Sequence, residues 1–138
     1  MEKLTFDQDI KVMYVTADSF PEGILPAHQK LHKMIPYTEK RKYFGISRPE
    51  NGQGIIYRAA AEELKKGEAA DLNLETLILK KGNYISKTLK NYMDVPQSIG
   101  RTFDELLKQP DLDPQGYCVE WYINDKDMKC MIRLEDNK

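Results

Sequence analysis

The sequence predicts a single α+β domain in which two similar strand–helix–strand–strand modules share one antiparallel sheet, with helices on one face. Three observations predict it. The order of elements repeats across the two halves, proline opens both helices, and the last two strands can be paired so that one face is wholly apolar. At 138 residues, 41% of them hydrophobic, the chain suffices for one core without a metal or disulfide.

The first strand is expected over Ile10 to Thr16, where Ile10, Val12 and Tyr14 alternate with Lys11 and Met13. Ser19-Phe20-Pro21-Glu22 matches a Ser-x-x-Glu capping box. Ile24, Ala27, Leu31, Met34 and Ile35 follow at helical spacing, with Pro26 in the first turn and Pro36 just past the end. Strands Tyr43 to Arg48 and Ile55 to Ala61 come next, and Asn51-Gly52 between them signals a hairpin. Glu62 to Asp71, charged and alanine-rich, reads as a solvated linker with one helical turn.

The second module starts with strand segments Glu75 to Lys80 and Tyr84 to Lys90, with Gly82 as a bulge or bend between them. Val95-Pro96 opens a helix whose apolar stripe is Ile99, Phe103, Leu106 and Leu107. Pro110 and the Asp113-Pro114-Gln115-Gly116 turn end it, and strands Tyr117 to Ile123 and Met128 to Leu134 close the chain. Module one therefore spans about residues 8–62, the linker 63–72 and module two 73–136, all within one domain, 1–138.

Composition excludes several classes. A net charge of −1 argues against a dedicated nucleic-acid binder, and Lys40-Arg41-Lys42 beside Glu39 reads as a solvated turn. No stretch reaches the roughly 20 apolar residues of a membrane span, and the N-terminus lacks the pattern of a signal peptide, so the expected location is cytoplasmic. Cys118 and Cys130 fit a reducing compartment and show no metal-ligand pattern. His28 and His32 lie four apart on the first helix, but with no third ligand evident they read as solvent-facing, so neither a metal nor a cofactor is expected. Gly52 and Gly54 lack the context of a phosphate-binding loop.

The final hairpin assigns side chains to faces. A turn centred on Asp125-Lys126 would place Ile123 opposite Met128, Trp121 opposite Cys130 and Val119 opposite Ile132, an all-apolar face expected to pack under the helices. Glu120 and Tyr122 would then point from the opposite face, where a groove between the modules would lie. Cys118 and Cys130 would fall on different faces. Read from the residues alone, Glu120 is either a solvated carboxylate near Lys129 or Arg133 or a functional one. Cys118 shares its face and is expected to be a small buried hydrophobe.

The second half, with Lys81-Gly82-Asn83-Tyr84-Ile85, a helix, then Gly116-Tyr117-Cys118-Val119-Glu120-Trp121-Tyr122 and a final apolar strand, resembles the GyrI-like domain. That family is also called the bacterial transcription activator effector-binding domain. The resemblance implies two modules related by a pseudo-two-fold axis, with a ligand groove on the sheet face away from the helices, here in the family's stand-alone form. It implies that Glu120 is the carboxylate at the base of the groove and that Tyr122 faces it. Tyr92, near the start of the second helix, and Tyr43 and Tyr57 of module one are the further candidates for ligand contact.

A carboxylate under aromatic walls suits lipophilic, often cationic small molecules, since the carboxylate supplies the counter-charge and tyrosine faces attract cations. Glu120 and Tyr122 would also be the catalytic pair in an alternative reading, hydrolysis of strained electrophilic toxic compounds, which some relatives of this type are implicated in. Inhibition of DNA gyrase through protein contact is a second alternative drawn from the same resemblance. The two modules leave no length for a helix-turn-helix, so a small molecule and not DNA is the expected partner. An exposed sheet edge would support a homodimer.

Overall fold

The computed structural model describes residues 1–136 apart from Asn51 and Gln53, so the expected Asn51-Gly52 turn lies partly outside the described residues. Twelve elements follow one another along the chain. They are β1 (Glu2–Phe6), β2 (Ile10–Thr16), α1 (Ile24–Met34), β3 (Tyr43–Pro49), β4 (Ile55–Glu62), α2 (Glu68–Asp71), β5 (Glu75–Leu79), β6 (Gly82–Leu89), a 3-10 turn (Tyr92–Asp94), α3 (Gln97–Leu106), β7 (Cys118–Tyr122) and β8 (Met128–Arg133). The fold class is as the sequence predicts: α+β, with one antiparallel sheet and helices against it.

All eight strands join one sheet in the order β1-β6-β8-β7-β3-β4-β2-β5. This order reads symmetrically about the central β7–β3 pair. Each half lends its first strand to the other: β1 pairs with β6, and β5 pairs with β2. Strand β1 was not expected, although Leu4 and Phe6 alternate with Lys3 and Thr5 as a half-buried strand requires. No helix is long and apolar enough to cross a membrane.

Both faces of the sheet are buried. On the concave face Phe6, Val12, Phe44, Ile46, Val119 and Met131 form part of one core with no helix in it. On the other face α1 brings Ala27, Leu31 and Ile35 down onto Met13, Ala59 and Ala61, and α3 brings Leu106 onto Met128, Cys130 and Ile132. Helix α1 packs chiefly on β2 and β4, and α3 on β6 and β8. The central strands β3 and β7 therefore run along the gap between the two helices.

The last hairpin pairs one residue out from the expected register. Tyr122 lies opposite Met128, Glu120 opposite Cys130 and Cys118 opposite Ile132. Asn124 causes the slip: its Oδ1 accepts hydrogen bonds from the amides of Lys126 and Asp127 at 2.8 and 2.9 Å, an Asx-type turn that widens the loop to residues 123–127. Three expectations change with it. Val119 and Trp121 belong to the concave core and not beneath the helices, and Ile123 is exposed beyond the strand. Cys118 and Cys130 share a face, though both are free thiols. Glu120 and Tyr122 stand on the helix-bearing face.

Two smaller readings also change. Helix α1 starts after Gly23, four residues past Ser19, with no side-chain cap; Ser19 contributes only its backbone carbonyl, which accepts from the Gly23 amide at 3.1 Å. Arg41, expected in a solvated turn, is buried and makes a two-pronged ion pair with Glu68, each bond 2.9 Å. Glu68 belongs to α2, so the expected linker is clamped to the body of the domain, and its carboxyl is held down at about 2, first by the Arg41 hydrogen bonds.

Candidate functional site

Strand β7 alternates, so Val119 enters the concave core and Glu120 emerges between α1 and α3. Directly opposite on β3 sits Gly45, and beyond it on β4 lies the Tyr57 strand position, paired to Ser47. Tyr57 extends over Gly45 to reach Glu120. A Cβ at position 45 would collide with the Tyr57 hydroxyl and lie 2.6 Å from Glu120 Oε1. The absence of a side chain at Gly45 is what lets a carboxylate from one half meet a phenol from the other.

Two phenols converge on one carboxylate oxygen. Tyr57 donates to Glu120 Oε1 at 3.0 Å and Tyr122 donates to the same atom at 2.6 Å, with the two hydroxyl oxygens 3.1 Å apart. His28, from α1, places Nε2 2.8 Å from the Tyr57 oxygen. Since the Tyr57 proton goes to Glu120, the network assigns the donor role in that contact to His28 Nε2–H. Glu120 Oε2 makes no hydrogen bond to the protein among the described residues.

Aromatic rings enclose this group. Phe20 stacks on Tyr57 with centroids 6.2 Å apart, the His28 ring meets Tyr122 edge-on at 5.3 Å, and Tyr92 lies 6.0 Å from Tyr122. A depression of about 510 Å³ opens beside Phe20 and Tyr57, bounded by Ala17, Asp18 and Ile55. Neither Glu120 nor Tyr122 lines it, so it flanks the carboxylate and does not enclose it.

Burial sets the protonation of the group. Desolvation raises the Glu120 carboxyl above its ordinary range against the opposing pull of the Tyr122 and Tyr57 hydrogen bonds. Desolvation, then the Glu120 charge, pushes both phenols up, so Tyr57 and Tyr122 remain donors at neutral pH. Desolvation, assisted by His32, lowers His28 to about 4 and keeps it neutral. Burial and the Glu120 charge drive Cys118 up to about 11, which leaves a thiol with no nucleophilic character at neutral pH.

Of the residues singled out from sequence, the structure brings together Glu120, Tyr122 and Tyr57, with Tyr92 at the margin. Tyr43 stands apart. It is buried, its hydroxyl accepts from the Thr38 amide at 3.0 Å, and its ring packs against Tyr37 and His32. Sequence reasoning missed His28, Gly45 and Phe20. His28 is not the solvent-facing residue expected; it follows Ala27 on the α1 surface that faces the sheet gap, one turn ahead of buried Leu31. Among the described residues no three His, Cys, Asp or Glu side chains cluster to hold a metal.

No protein-family model matches the chain, and no curated protein matches it. Solved structures share its fold. An integron cassette protein from the mobile metagenome of Vibrio cholerae superposes with a TM-score of 0.67 at 14% identity, over 97% of this chain and 95% of its own. SAV2435, solved bound to tetraphenylphosphonium, gives 0.70 at 10% identity, over 97% and 93%. A hydrolase from Listeria innocua gives 0.57 at 8% identity, over 97% and 90%. At such identities the likeness establishes the fold.

Proposed function

We propose that this chain is a GyrI-like domain that binds lipophilic cations in the gap between α1 and α3, with Glu120 as counter-charge. The observation that carries this reading is the convergence of Tyr57 and Tyr122 on Glu120 Oε1, which leaves Oε2 without a protein partner among the described residues. A half-buried carboxylate costs free energy that an apolar cation offsets. The faces of Tyr122 and Tyr92, both only partly buried, each add about 0.5–2 kcal/mol of cation–π attraction. That SAV2435 carries a lipophilic phosphonium on the same fold supports the reading.

The test is titration of wild type and Glu120→Gln with tetraphenylphosphonium, followed by thermal shift and calorimetry. At a hundred times its dissociation constant a ligand stabilises by about 2.7 kcal/mol, readily seen as a higher Tm. A shift present in wild type and lost in Glu120→Gln supports the proposal. Equal affinity in both proteins refutes it.

One feature favours a second reading, hydrolysis of a strained electrophile. Glu120 Oε2 would accept a proton from an attacking water while Tyr122 turns its O–H from Glu120 Oε1 to donate to the electrophile. Mass spectrometry of the compound after incubation separates the two readings, because only hydrolysis adds the mass of water, and only with wild type.

A further inference from the structure

A second cavity, of about 310 Å³, opens at the mouth of the concave face, on the other side of the sheet from Glu120. Its floor is the end of the concave core: Leu79, Val119 and the Tyr84 ring, all buried. Its rim carries three cations, Arg48, Lys80 and Arg133, against one carboxylate, Asp113. Asp113 is already neutralised by Arg133 at 3.0 Å, and Arg133 is further engaged by Asp136 and the Lys81 carbonyl. Two cations are thus left to the cavity. The Arg48 guanidinium lies over the Tyr117 ring, 4.0 Å from its centroid, and donates to the Gln115 carbonyl at 2.7 Å, two contacts that position it. Its nearest carboxylate, Glu50 at 3.6 Å, is bound more closely by Arg58. Lys80 is exposed and forms no ion pair among the described residues.

We infer that this cavity is a second ligand site, for a small amphipathic anion such as an aryl or alkyl carboxylate or sulfonate. The apolar part would rest on Leu79, Val119 and Tyr84, and the anionic head would sit between Arg48 and Lys80. Such a head gains charge-assisted hydrogen bonds from a guanidinium already positioned, so little side-chain freedom is lost. The cavity's volume is at the lower end of the small-ligand range, which limits the occupant to about three aromatic rings. The two sites lie on opposite faces of β7, reached by the adjacent residues Val119 and Glu120, and they select opposite charges. This assignment stands independently of the cation reading.

The experiment uses 1-anilinonaphthalene-8-sulfonate and follows its fluorescence against protein concentration. Wild type is expected to saturate at one probe per chain. Lys80→Glu, at an exposed position that folding does not depend on, and Arg48→Gln are each expected to weaken binding about tenfold, the loss of one charged contact. Glu120→Gln is expected to leave it unchanged. Unaltered affinity in both rim variants overturns the proposal, as does loss of binding in Glu120→Gln. Equal affinity for the uncharged N-phenyl-1-naphthylamine also overturns it.

Discussion

Phe44 and Gly45 are neighbours on β3, and they serve opposite faces of the same sheet. Phe44 is wholly buried in the concave core with its ring 6.2 Å from that of Trp121. Gly45 contributes no side chain, and over it Tyr57 and Glu120 meet. The same contrast recurs on β7 between Val119 and Glu120. The concave face is stabilised by filling space; the helix face, along its centre, is organised by leaving space. The difference arises because the helices rest on the strand pairs flanking β3 and β7. A polar group placed on either central strand meets other side chains from the gap and not the apolar underside of a helix.

The contrast breaks most severely at Phe44. Phe44→Ala should cost about 4 kcal/mol of stability through the cavity it leaves, read as a lower urea midpoint, while the cation affinity of the folded fraction is kept. Loss of affinity in the folded fraction would show that the two faces do not act separately. Gly45→Val is expected to do the reverse. Its stability cost is about 3 kcal/mol from overpacking, and binding of tetraphenylphosphonium is abolished because Tyr57 can no longer reach Glu120.

Acidification sharpens the comparison through His28. Its pKa is lowered to about 4 in the fold from the ordinary 6.5. The unfolded chain therefore takes up a proton that the folded one refuses. The stability this group contributes is fully present above pH 6.5 and is lost as pH falls towards 4, by about 2 kcal/mol at pH 4.5 after allowing for partial exposure. Glu120 works in the other direction: its raised pKa contributes stability at low pH that is lost as pH rises through the folded value. Urea midpoints at pH 7 and 4.5 should consequently fall less for His28→Gln than for wild type. An identical fall in both would remove His28 from the buried network. The smallest effect is expected at the margin, where Tyr92→Ala should weaken cation binding about threefold, one cation–π contact, with a midpoint shift well below that of Phe44→Ala because Tyr92 is only partly buried against the α3 core.

Much of the fold was legible because its signals are local. Strict alternation located Ile10–Thr16, helical spacing located α1 and α3, and proline and asparagine marked where they start or turn. Glu120 was legible as a candidate because a mid-strand carboxylate is unusual in an apolar setting, and Tyr122 and Tyr57 only through the resemblance to the GyrI-like domain. The face they occupy was not. Pairing the last hairpin by apolar matches presumes that one face is buried and the other wet, and here both are buried, so Met131 opposite Val119 and Cys130 opposite Glu120 satisfy the pattern as well as the expected pairs do.

The sequence by itself determined the α+β class, the repeated order of elements and the residue types on offer along the strands: the Glu120 carboxylate among apolar neighbours, and several phenols. Those follow from periodicity and residue type, which act over a few neighbouring positions. Only the tertiary structure decided that β1 and β5 exchange between the halves, that His28 enters the Glu120 network, and that Gly45 is its floor. Each of these joins residues far apart in the chain, and such contacts depend on how the sheet curls and where the helices settle, which no local pattern records.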